Sequence, residues 1–176
     1  MKEYKILFTG TMGAGKTTAI AAISDIEPIS TDVQNNDPSL DKSHTTVGLD
    51  YGEVALGPDE RLRLYGTPGQ ARFAFMWSIL ARGALGLVIL IDNSRPDPLG
   101  DLRVYLKGFA DCIGTTACVV GVGRLVGHPS PGLDDYAALL AQAGHPCPVV
   151  EVDVREAGQV RMLLDLLLLQ LECTVA

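Results

Sequence analysis

Short apolar runs alternate along the chain with stretches whose apolar positions recur at helical spacing. This alternation predicts strands and helices in turn and a largely parallel sheet. Strands are predicted near 4–9, 47–56, 61–66, 85–91, 116–122 and 148–152, and helices over 16–26, 71–82, 98–112, 133–143 and 157–172. The run Leu87-Val88-Ile89-Leu90-Ile91 has no polar face, as the doubly covered centre of a parallel sheet requires. Gly57-Pro58-Asp59-Glu60 has turn chemistry and lies between two strand patterns, so that pair reads as a hairpin. The expected fold is a three-layer α/β/α domain over 1–176, its six-stranded sheet mostly parallel with one antiparallel edge strand. No repeat or linker divides it.

Between the first helix and the hairpin, Glu27 to Thr45 is polar, rich in Asp, Asn, Ser and Pro, and without periodicity. A loop of that length in a small domain is usually functional or disordered. Its position beside the first helix favours a ligand-sensing loop.

Gly10-Thr11-Met12-Gly13-Ala14-Gly15-Lys16-Thr17 completes the phosphate-binding pattern G-x-x-x-x-G-K-S/T. It stands between the apolar run Ile6-Leu7-Phe8 and the helical run Thr18 to Ile26, the strand–loop–helix context that the motif needs. Glycines let backbone N–H groups close around phosphate oxygens where a Cβ would obstruct them. Lys16 is spaced to reach the β- and γ-phosphates, and the Thr17 hydroxyl to ligate Mg²⁺. The helix N-terminus at Thr17 and Thr18 adds partial positive charge there. These residues predict a P-loop NTPase fold with a nucleoside phosphate as ligand.

Composition narrows the setting. The chain is 47% hydrophobic and 20% charged, an ordinary globular balance. A net charge of −7 without a basic run argues against nucleic acid and anionic membrane as partners. Cys112, Cys118, Cys147 and Cys173 are scattered, which suits a reduced, cytoplasmic protein and argues against zinc. No apolar run is long enough to span a bilayer, and Met1 to Thr9 lacks a signal core. The ending Cys173-Thr174-Val175-Ala176 has the spacing of a prenylation box, which flanking Glu172 and the leucines disfavour.

The phosphate loop, the polar loop, Thr46-Val47-Gly48-Leu49-Asp50-Tyr51 and Gly66-Thr67-Pro68-Gly69-Gln70 together resemble a Ras-like small GTPase over nearly the whole length. The likeness is greatest to bacterial small GTPases whose second switch reads G-T-P-G-Q and which are often paired with Roadblock-type partner proteins. The resemblance implies GTP or GDP as ligand, Mg²⁺ as cofactor, and slow GTP hydrolysis that flips two signalling loops. By position, Thr46 is then the switch I ligand of Mg²⁺, Gly69 donates its N–H to the γ-phosphate, and Gln70 orients the attacking water. Independently, Thr45-Thr46 closes the polar loop at a strand start, and Gly69 makes a tight turn at a strand's C-terminal end, where α/β ligands bind.

Two departures stand out. Where the family's D-x-x-G has aspartate this chain has Gly66, so support for Mg²⁺ is weakened unless Asp50, Asp92 or Asp32 replaces it. Where the guanine-reading N-K-x-D is expected the chain reads Gly123-Arg124-Leu125-Val126. Val126 cannot accept the guanine N1 and N2 donors, and two such bonds at roughly 1.5–3 kcal/mol each correspond to about 10² to 10⁴ in affinity. Arg124 can still stack on a base. The last family loop aligns with Asp153-Val154-Arg155, where Asp153 either touches the base or caps the final helix.

Ala71-Arg72-Phe73-Ala74-Phe75-Met76-Trp77 holds more aromatic bulk than one helical face buries, which predicts a partner-reading surface. The final helix has Val160, Leu163, Leu164, Leu167, Leu168 and Leu171 on one face and Met162, Leu166 and Leu169 on another. Such a helix is either core or covered by another chain, a second copy included. Three functional readings follow: a switch GTPase, a nucleotide-bound interaction module with little turnover and relaxed base specificity, and a P-loop kinase. For the kinase, 92–107 offers Arg95 and Arg103 but no lid-like length.

Overall fold

The computed structural model describes residues 1–30 and 48–175, the side chains of 174 and 175 excepted. Its centre is a seven-stranded sheet of order β2-β3-β4-β1-β5-β6-β7. The strands are β1 (Lys2–Gly10), β2 (Ile29–Ser30), β3 (Asp50–Gly57), β4 (Glu60–Gly66), β5 (Gly86–Asp92), β6 (Ala117–Gly123) and β7 (Val149–Glu151). β1 runs parallel to β4 and β5, β5 to β6, and β6 to β7. β3 is antiparallel to β4, as the turn sequence at 57–60 predicts.

The expected six strands become seven, because Ile29 and Ser30 pair with Tyr51 and Asp50 inside what reads as a structureless loop. Two paired residues leave no periodicity to detect, and the outermost strand is therefore β2 and not the antiparallel β3.

Helices cover both faces. On one, Ala19, Ile20 and Ile23 of α1 (Lys16–Ile23) meet Val160, Leu163 and Leu167 of α6 (Ala157–Val175) over Phe8, Leu64 and Val88. On the other, α2 (Ala74–Ala81), α3 (Pro98–Gly108), the single turn α4 (Ala110–Ile113) and α5 (Leu133–Gln142) pack on Leu7, Leu87 and Ile89. Every residue of β5 is buried, which explains why its sequence has no polar face.

Local chemistry sets the helix ends. α1 stops at Ile23, short of the expected Ile26, because the Ser24 hydroxyl bonds the β3 backbone and Pro28 biases its predecessor away from helix. Asp97 caps α3 through its side chain on Gly100 N at 2.9 Å, with Pro98 at the first turn. The expected helix 98–112 breaks after Gly108, where the Trp77 ring leaves no room for a side chain.

Candidate functional site

The carboxyl ends of β1 and β5, where connections diverge to opposite sides of the sheet, form the crevice in which α/β folds bind ligands. β1 delivers Gly10 to it, and the loop that follows turns into α1 at Lys16. Gly13 (φ 84) and Gly15 (φ 97) adopt left-handed backbone that residues with a Cβ rarely enter. α1 has no side-chain cap, and among the described residues the amides of Gly13, Gly15, Lys16, Thr17 and Thr18 have no acceptor. Several convergent N–H groups at a helix start fit a phosphate chain.

Lys16 lies beneath this cradle with Nζ donating to the carbonyls of Gly10 at 2.8 Å and Thr11 at 2.9 Å. Burial lowers its pKa to about 8, and the nearby Asp50 carboxylate counters only part of that. Thr17 Oγ1 donates to Asp50 Oδ2 at 2.6 Å, and Ser30 Oγ donates to Asp50 Oδ1 at 2.8 Å. Asp50 is paired with Gly66 in the β3–β4 ladder, and a Cβ on Gly66 would lie 2.9 Å from Asp50 Oδ2. The carboxylate absent from position 66 is thus supplied by the neighbouring strand. Of the three substitutes considered from sequence, Asp32 is outside the described residues and Asp92 is engaged on the base side.

Thr46, the expected switch I threonine, also lies outside the described residues. The turn Thr67-Pro68-Gly69-Gln70 is seated by three contacts. Thr67 Oγ1 shares a buried hydrogen bond with Thr9 Oγ1 at 2.8 Å, Trp77 Nε1 donates to Pro68 O at 2.9 Å, and the Tyr105 hydroxyl donates to Gly69 O at 2.9 Å. A Cβ on Gly69 would come within 2.6 Å of Met12 N and 2.9 Å of Lys16 Nζ, so only glycine lets this turn meet the phosphate loop. Gln70 joins Met12, Thr17, Asp50 and Gly69 around a cleft of about 270 Å³.

Trp77 corrects the sequence reading of this segment. It is 0% exposed and stacks on Tyr105 and Phe109 with centroids 4.8 and 5.5 Å away. It belongs to the core, because a ring at the start of α2 faces α3 across the sheet. Phe75 (66% exposed) and Ile79 (59% exposed), one turn apart on α2, carry the outward apolar surface. In α6 Leu168 is likewise outward, with Met162 and Leu169, while Val160, Leu163 and Leu167 are buried.

A larger cleft of about 780 Å³ lies on the other side of the phosphate loop, between β5, β6 and the loop after β7. Arg124 lines it, but its guanidinium is bonded to Asp92 and Ser94 rather than free for a base. Burial pushes the Asp92 carboxyl up, yet hydrogen bonds from Ser94 and Arg124 outweigh it and hold the pKa below the usual carboxylate range. Asp92 also caps the following loop through Ser94 N, as turn chemistry predicts. Asp153 does not cap α6; its carboxylate takes the Arg155 amide and guanidinium, which bring its pKa down to about 2. Val154 packs over the phosphate loop, its Cγ2 2.6 Å from where a Cβ on Gly15 would stand.

Sequence reasoning missed Ser30, Asn93, Tyr105 and Gln159. Asn93 ties the loop after β6 through Nδ2 to His128 O at 2.5 Å and Pro131 O at 3.0 Å, and accepts from the Tyr136 hydroxyl. Gln159 Oε1 accepts from Asp153 N at 2.7 Å. The signal for Asn93 was present, a polar residue at the carboxyl end of the most apolar strand; Ser30 and Tyr105 had none outside three dimensions.

No protein-family model matches the chain. It is 24% identical over 124 residues to the Ras-related protein RABA1h of Arabidopsis thaliana, covering 69% of this chain and 52% of that protein. It is 26% identical over 108 residues to human Ras-related protein Rab-12, covering 60% and 40%. An uncharacterized protein of Methanocaldococcus jannaschii is 27% identical over 93 residues, 53% of each chain. The chain spans about half the length, or less, of these relatives. Among solved structures, a bacterial selenocysteine-specific elongation factor, EF-Sec, superposes with a TM-score of 0.66 at 19% identity, covering 97% of this chain and 29% of that one. The fold is therefore that of a P-loop GTPase, and the sequence is distantly related to Ras-related proteins.

Proposed function

We propose that the chain is a guanine-nucleotide-binding molecular switch with slow, Mg²⁺-dependent GTP hydrolysis. The observation that carries this reading is the cradle of free amides around Lys16, facing a carboxylate that β3 returns to the Thr17 hydroxyl. The loop from Gly10 to Thr18 holds the phosphates, with Lys16 as the cation on the β- and γ-phosphates. Thr17, with Thr46, ligates Mg²⁺, and Asp50 orients its ligands. Bound Mg²⁺ would neutralise phosphate charge and stabilise charge that develops on the transferred group. Gly69 donates to the γ-phosphate, Gln70 orients the attacking water, and Lys16 offsets charge on the transferring oxygens. Arg124, Asp153 and Val154 border the base. Hydrolysis removes the contacts at Thr46 and Gly69, which releases the loops.

The partner proposed is a protein that reads the switch loops and the exposed Phe75–Ile79 patch, of Roadblock type by resemblance, in the cytoplasm. Among the described residues no helix is long and apolar enough to cross a membrane. The outward leucines of α6 make a homodimer a further proposal. A second reading, a nucleotide-bound module with little turnover, draws on Gly66 and on that same apolar patch. Single-turnover release of inorganic phosphate from GTP separates the two. Release that stops with EDTA and slows in Gln70→Ala supports the switch; GTP retained intact over days supports the module.

A further inference from the structure

The larger cleft has polar groups on its rim, and their commitments decide which base it can read. Val126 is 93% exposed at the rim, so the loop presents an aliphatic group there. That loop is held in place by the Asn93 amide on the carbonyls of His128 and Pro131. Of the carboxylates lining the cleft, Asp92 is taken by Arg124 and Ser94, and Asp153 by Arg155. Glu151 shares the β7 face of Val149, which packs toward α5; the opposite face, with Val152, packs with Ala14 and α6. No described carboxylate is left for donors at positions 1 and 2 of a purine. A donor does remain: Val154 lines the cleft, and among the described residues its N–H has no acceptor. An amide N–H pairs with a 6-oxo group and leaves a 6-amino group unpaired.

Resting on the nucleotide-binding reading above, we infer that the site accepts 6-oxopurine nucleotides and is blind to the 2-amino group. Inosine and guanine nucleotides then bind alike, and adenine nucleotides less well. Position 126 is the specificity-determining residue, and its exposure means that a substitution there leaves the core untouched.

The test is calorimetric titration of the nucleotide-stripped full chain with GDP, IDP and ADP in millimolar Mg²⁺, repeated on Val126→Asp. The expected result is GDP and IDP within about threefold of each other and ADP about tenfold weaker, the weight of one hydrogen bond. In Val126→Asp, GDP should gain about 10- to 100-fold over IDP, because the new carboxylate accepts from the 2-amino group. A wild-type preference for GDP over IDP of tenfold or more overturns the inference, as does ADP binding as tightly as GDP. A variant that still treats GDP and IDP alike overturns the assignment to position 126. Uptake of none of the three overturns the nucleotide reading, and this inference with it.

Discussion

Asp50 and Gly66 face each other across the β3–β4 ladder, and the carboxylate of the first occupies space that a side chain on the second would need. A carboxylate has in effect moved one strand sideways while keeping its aim at Thr17. Asp50→Asn should therefore weaken Mg²⁺-dependent nucleotide binding by about 10- to 100-fold, the usual effect of losing a partner that orients metal ligands. Gly66→Asp alone should destabilise by about 1–3 kcal/mol through overpacking, with two carboxylates in one space. Asp50→Ala combined with Gly66→Asp should recover most of the Mg²⁺ dependence. Titrations with and without EDTA measure all three; an additive loss in the double variant would contradict the exchange.

Lys16 gives a pH dependence whose sign is fixed by burial. In the free protein its pKa is about 8, and a phosphate chain beside it favours the charged form, so binding takes up a proton above that pH. Affinity should be flat below pH 8 and fall by up to tenfold per unit above it. Calorimetry in buffers of differing ionisation enthalpy at pH 8.5 should register the uptake, and no uptake would contradict a buried, partly deprotonated Lys16.

The two aromatic donors that seat Pro68 and Gly69 differ in what else they do. Tyr105→Phe keeps the ring stack and loses only the bond to Gly69 O, an expected cost of about 0.5–1.5 kcal/mol. Trp77→Ala empties a fully buried site and should cost about 3–5 kcal/mol. Phe75→Ser, one helical turn from exposed Ile79, should stay within about 0.5 kcal/mol of wild type. Denaturant midpoints rank the three, and a large loss in Phe75→Ser would show that this ring is core.

How much of this was legible in the sequence depends on whether a feature is local. The phosphate loop is contiguous, and its strand–loop–helix setting follows from apolar runs on either side, so Lys16 and Thr17 could be placed at once. The buried strand β5 declared itself by lacking any polar face. Trp77 could not be oriented, because apolar excess over residues 71–77 does not say which ring faces α3. β2 is too short for periodicity to reveal. Asp50 could be named only as one of three substitutes; the ladder register that sets it against Gly66 is a property of the folded sheet. The pairing of Arg124 with Asp92 joins residues 32 apart in sequence, and it removes the free guanidinium that stacking on a base would need.

The account stands most directly on one titration: nucleotide-stripped protein against GDP in millimolar Mg²⁺, with Lys16→Ala alongside. The predicted result is saturable one-to-one uptake that weakens when EDTA removes the metal and is lost in the variant. Equal uptake by wild type and Lys16→Ala, or none by either with GDP or GTP, would contradict it.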